Sequence, residues 1–140
     1  VRARPPKRTS PLLKHPRALF AWYLALLYAG IIYLLSSARA PIPFIDIRKY
    51  PPDWILHGVE YAFFGILLIR ACALTWERRS ALFLISLSLF IGVLYGISDE
   101  WHQSFVPGRE AAFHDLVADT AGVFAGAVFW NFFLRRWDNG

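Results

Sequence analysis

Four stretches of this chain approach the roughly 20 consecutive apolar residues that a helix needs to cross the hydrocarbon core of a bilayer. They fall at 18–36, 55–76, 80–98 and 115–134, and in a chain of 140 residues they leave room for little else. Hydrophobic residues make up 56% of the sequence and the mean hydropathy is +0.39. A soluble domain of this size would have to expose large apolar patches. The expected fold class is therefore all-α, an integral membrane four-helix bundle forming one domain over 18–134. A basic tail over 1–17 and a short tail over 135–140 flank it.

The first stretch is followed by Ala38-Arg39-Ala40, a small-x-small pattern that resembles a leader cleavage site. Its apolar run is longer than a leader's core of about 7–15 residues, and Pro41 follows directly, so it reads as a retained helix. Orientation follows from the basic flanks. Arg2, Arg4, Lys7, Arg8, Lys14, Arg17, Arg78, Arg79, Arg135 and Arg136 fall on one side, against Arg39, Arg48, Lys49 and Arg109 on the other; Arg70 lies within the second stretch. This bias predicts that both termini are cytoplasmic. The basic tail then serves topology and attraction to anionic lipid. A net charge of +5 and a pI near 9.7 therefore call for no nucleic-acid partner. Cys72 is the single cysteine, so neither an internal disulfide nor a thiolate metal cluster is available, and it reads as a packing residue.

With that topology, the ionisable residues converge on the outer face. Asp115, Asp119, Gly122 and Gly126 are spaced 4, 3 and 4, a single helical stripe. Ser88, Gly92, Gly96, Asp99 and Gln103 form a second stripe if the third helix runs past Ser98. Both contain a GxxxG step, which lets helix backbones approach closely. Asp53, His57, Glu60 and Tyr61 share one face of the second helix. A solvated rim accounts for Asp99, Glu100, Glu110 and Asp115. It accounts poorly for Glu60 and Asp119, each about one turn, or roughly 6 Å, deeper. A carboxylate in mid-membrane costs about 2.5–3.5 kcal/mol, so such groups usually face a partner or a cavity.

Asp53-x-x-x-His57, Glu60-Tyr61, SDEWHQSFVPGR at 98–109 and DLVADTAGVFAG at 115–126 together resemble the VanZ-like membrane proteins, over about residues 20–134. Trp54 departs from the lysine often found there. The resemblance implies a small bacterial membrane protein of the cytoplasmic membrane. The founding member of that family is associated with resistance to teicoplanin, a glycopeptide that binds cell-wall precursors outside the membrane. The resemblance implies a setting and no reaction.

Three functions fit these residues. In the first, Asp53, His57, Glu60, Asp99, Glu100, Gln103, Arg109, Asp115 and Asp119 line an outward-facing pocket for an envelope lipid or cell-wall precursor. Val106-Pro107-Gly108-Arg109 then forms a tight turn that fixes Arg109 at its mouth. A guanidinium there grips a phosphate or carboxylate, or else closes the fold on Asp99, Asp115 or Asp119. In the second, His57, Glu60, Asp99 and His102 hold a divalent metal that activates water against a lipid-linked substrate. His57 with Glu60 also suits metal-free general-base chemistry. In the third, the protein is a non-enzymatic membrane adaptor. His114 in the loop and His15 in the tail stand outside these sets.

Overall fold

A computed structural model of the chain describes residues 16–37, 52–109 and 111–135. Within them run four helices: α1 (Pro16–Ser36), α2 (Asp53–Thr75), α3 (Ala81–Gln103) and α4 (Phe113–Phe129), the last continued by a π-helical turn over Trp130–Leu134. All four are long and apolar enough to cross a membrane. The fold is an all-α bundle with four membrane-spanning helices. Glu110 and most of the basic flank residues, including Arg2, Arg4, Lys7, Arg8, Lys14, Arg39, Arg48, Lys49 and Arg136, lie outside the described residues.

Local signals explain most of the helix ends. Pro16 opens α1, where a missing N–H costs nothing. The Ser80 hydroxyl caps α3 by accepting from the Phe83 N–H at 3.2 Å. Asp53 and Asp115 occupy the first turns of α2 and α4, where the positive end of the helix dipole favours a carboxylate. α3 runs five residues past the expected end at Ser98, to Gln103. Hydropathy falls at Asp99-Glu100, but their side chains turn inward and find donors, so the helix continues. The π-turn has no counterpart in the expected pattern. Its wider winding is marked by the Arg135 N–H, which donates to the Trp130 carbonyl.

α2 and α4 make the tightest pair, and they run parallel. A Cβ placed on Gly122 would meet the Gly58 carbonyl oxygen, and one on Gly126 would meet that of Ala62. The GxxxG step of α4 thus faces a second small-xxx-small step, Gly58-x-x-x-Ala62, on α2. Gly65 on α2 answers against the Val123 backbone, and Gly92 on α3 against the Val123 side chain. The packing stripes read from the sequence are the buried ones. Ser88, Gly92, Gly96, Asp99 and Gln103 on α3 are all buried, as are Asp115, Asp119, Gly122 and Gly126 on α4.

Two apolar clusters fill the interior. Ile32, Tyr61, Phe64, Leu68 and Val123 form one. Ile69, Cys72, Leu84, Ala127 and Trp130 form the other, nearer the far end. Large side chains such as Leu26, Leu82 and Phe90 project outward, as they should where the solvent is hydrocarbon.

The α3–α4 connection contains the expected turn. The Arg109 N–H donates to the Val106 carbonyl at 3.1 Å, and Gly108 has φ of +87°. That backbone suits glycine alone at low cost. Gly108→Ala is expected to lower stability by about 1–2 kcal/mol. Thermal unfolding in detergent measures this, with Gly30→Ala, whose Cβ has open space, as the comparison.

Candidate functional site

The C-termini of α1 and α3 and the N-termini of α2 and α4 meet at one end of the bundle, and the ionisable residues gather there. His57, one turn into α2, places Nδ1 3.0 Å from Oδ1 of Asp119 on α4, with both side chains buried. Asp119 reaches this position because Gly96 of α3 leaves space beside it: a Cβ on Gly96 would lie 3.3 Å from Asp119 Oδ2. Glu100 comes from the last turn of α3. Its Oε2 accepts the Ala112 N–H at 2.9 Å, at the mouth of α4, where the unpaired amides of a helix start favour an anion.

Ligand atoms of His57, Glu100 and Asp119 lie within 4.8 Å of one another, and so do those of Asp53, His57 and Asp115. His57 belongs to both groups. Asp119 Oδ2 and Glu100 Oε1 are buried without a hydrogen-bond partner among the described residues. A desolvated carboxylate oxygen in this condition is costly unless a proton or a cation meets it. An imidazole nitrogen with two carboxylate oxygens is a fitting donor set for a divalent cation such as Mn²⁺ or Zn²⁺.

Asp99 belongs to a neighbouring network towards α1. Its Oδ2 accepts from the Ser36 hydroxyl at 2.8 Å and from Gln103 Nε2 at 3.0 Å. Alongside, Ser37 Oγ and His102 Nε2 are 2.9 Å apart. Arg109 sits at the rim. Its Nη1 donates to Asp53 Oδ2 at 3.2 Å, and Nη2 to the Leu35 carbonyl at 3.4 Å, one of the carbonyls that a helix C-terminus leaves unpaired. His114 lies 3.3 Å from Asp115 and is exposed.

Several expectations change on this geometry. Asp99, Glu100 and Asp115 are 3%, 8% and 4% exposed, so a solvated rim does not describe them. Arg109 engages Asp53, not Asp99, Asp115 or Asp119. The set His57, Glu60, Asp99 and His102 is not brought together as one centre. Glu100 and Asp119 take the places beside His57, while Asp99 and His102 turn towards α1. Glu60 is half-buried. Its Oε1 has no hydrogen-bond partner among the described residues, and its backbone carbonyl accepts from the Tyr28 hydroxyl. Ser36 was missed in the sequence because a serine at the end of an apolar run carries no pattern of its own.

Four spanning helices closed by a buried cluster of acids and one imidazole define a multi-pass membrane protein. Its family is set by the whole span: the VanZ/LLP1 family model matches residues 20–134, and the chain belongs to that bacterial family. No curated protein and no solved structure gives a significant match.

Proposed function

We propose that this VanZ/LLP1 protein binds the anionic head group of an envelope lipid or cell-wall precursor through a divalent cation held by His57, Glu100 and Asp119. Asp53 and Asp115 form the outer part of the same site and Glu60 lines its inner wall, while Asp99 and Gln103 stand beside it in the network towards α1. The observation that carries this reading is the pair of buried oxygens, Glu100 Oε1 and Asp119 Oδ2, beside the His57 imidazole. A bound cation satisfies them and presents its remaining coordination positions to a phosphate. Arg109, held by a single contact to Asp53 and one carbonyl, supplies a second grip on the same anion.

The basic flanks support a topology in which both termini, with the tails 1–17 and 135–140, lie in the cytoplasm of a bacterial cell. The domain 18–134 then opens its polar end outward. A site there meets the precursors that glycopeptides bind, and a glycopeptide-resistance role follows from that location.

Native mass spectrometry of the detergent-purified protein tests the reading. With Mn²⁺ present, one manganese per chain and a retained net-anionic, phosphate-bearing amphiphile are expected, both lost in EDTA. His57→Ala is expected to weaken manganese binding by more than about 10–100-fold, the loss when only a hydrogen-bond partner of a ligand is removed. A net-anionic amphiphile retained equally with and without EDTA, or no manganese at all, overturns it.

A second reading rests on the count of ligands. Three protein ligands leave a cation room for water, the arrangement of catalytic metal sites. Release of phosphate from a lipid-linked phosphate, dependent on Mn²⁺ and absent in His57→Ala, would make the protein a hydrolase.

A further inference from the structure

Few contacts join α1 to α3 directly, and the two helices leave a groove of about 500 Å³ between them at the polar end. Tyr33, Tyr95, Trp101 and Phe105 supply its aromatic walls, and Asp99 and His102 its polar end. Tyr33 belongs to α1 and Tyr95 and Trp101 to α3, both membrane-spanning helices, and Phe105 lies just past the end of α3, so the groove opens towards the bilayer. Its volume falls within the usual range for small-molecule sites.

Asp99 sets this groove apart from an ordinary crevice filled by bulk lipid. The residue is 3% exposed. Its Oδ2 accepts two hydrogen bonds, while Oδ1 has no hydrogen-bond partner among the described residues. Asp99 belongs to neither group of cation ligands, so the cation cluster does not meet this need. The described residues of this end carry six carboxylates (Asp53, Glu60, Asp99, Glu100, Asp115, Asp119) against one guanidinium, Arg109. A cationic donor therefore complements the Asp99 end, and hydrocarbon complements the aromatic walls.

We infer that the α1–α3 groove binds an amine-bearing membrane amphiphile, its chain against Tyr33, Tyr95 and Phe105 and its ammonium group donating to Asp99. The aromatic residues give area and shape. The carboxylate gives selectivity, because a charge-assisted hydrogen bond in a desolvated setting has no equal from a neutral or anionic head group. Entry is lateral, between two helices whose seam is held by polar contacts: Ser36 to Asp99, Ser37 to His102, and the Tyr95 hydroxyl to the Ala29 carbonyl.

The inference does not rest on the cation reading, and its test is run in EDTA to keep the two apart. Phosphatidylethanolamine and phosphatidylglycerol, each with a photoactivatable acyl chain, are the probes, presented in nanodiscs with the full chain. Adducts are mapped by peptide mass spectrometry. Labelling over residues 95–105 is expected to exceed labelling around Phe90, an equally lipid-facing part of α3. The ethanolamine probe is expected to label about tenfold more than the glycerol probe. Asp99→Asn keeps the shape and removes the charge, and should bring the two probes level. Ser98→Trp, at the exposed edge of the groove, should reduce labelling by both. Should Asp99→Asn fail to fold, the comparison of probes on the wild-type protein still decides. Equal labelling by the two probes, or no excess over the Phe90 region, overturns the inference. An ethanolamine preference that Ser98→Trp leaves unchanged overturns it too, since the amine would then be read elsewhere.

Discussion

Gly126→Leu is expected to abolish the folded bundle, whereas Gly30→Leu leaves it intact. The two positions share a residue type and a helical setting, and they differ only in what surrounds them. A Cβ on Gly126 would collide with the Ala62 carbonyl oxygen, and would lie 2.8 Å from the Ala62 carbonyl carbon and 3.1 Å from the Ile66 nitrogen. All of these are backbone atoms of α2, which cannot step aside as a flexible side chain does. Around Gly30 nothing lies within 4 Å. Overpacking in a soluble core costs about 1–3 kcal/mol or more. Here the loss is larger, because in lipid no hydrophobic force presses helices together and close backbone packing is the main attraction. The disturbance also spreads to the site, since the α2–α4 contact sets the distance between His57 and Asp119. Size-exclusion profiles and thermal unfolding in detergent measure it. A monodisperse Gly126→Leu protein with wild-type stability would refute the α2–α4 packing.

That contact also shows which features were legible in the sequence. The Asp115–Gly126 stripe was readable because helical periodicity is a property of one segment, and burial followed from it. Gly58-x-x-x-Ala62, its partner step, was harder to see: alanine is common in apolar helices, and the step gains meaning only once α4 is set beside it. The reach of α3 to Gln103 hid for a related reason. Asp99 and Glu100 look like the end of a span until Ser36, Gln103 and the Ala112 N–H are known to receive them.

Residue types at the site were readable too, but their pairing was not. His57 and Glu60 stand one turn apart on a single helix, so spacing alone suggests a pair. Which acids meet the imidazole depends on the rotation of α3 and α4 about their own axes, and that is set by glycines elsewhere. Gly96 decides how closely Asp119 can approach. Arg109 is the same lesson at the rim. The turn that carries it was evident from Pro107 and Gly108, but its engagement of Asp53 requires the start of α2 to lie beside the α3–α4 connection.

Asp119→Asn is expected to separate two effects that most substitutions confound. The amide has nearly the shape of the carboxylate, and its oxygen still accepts from His57 at the position of Oδ1. What it removes is the negative charge at Oδ2, which has no hydrogen-bond partner among the described residues. Without cation, the variant should therefore be as stable as the wild type or more so, by up to about 2 kcal/mol, since a buried charge that His57 meets at one oxygen only still opposes folding. With cation the order reverses. A ligand at 100 times its dissociation constant stabilises the folded state by about 2.7 kcal/mol, and this gain should appear in the wild type and vanish in Asp119→Asn. Thermal unfolding of both proteins, in EDTA and in Mn²⁺, reads all four states. A wild-type melting temperature indifferent to Mn²⁺ and to Zn²⁺ would refute the cation site. A variant less stable than the wild type in EDTA would show instead that Asp119 serves the fold, and that His57 is its structural partner.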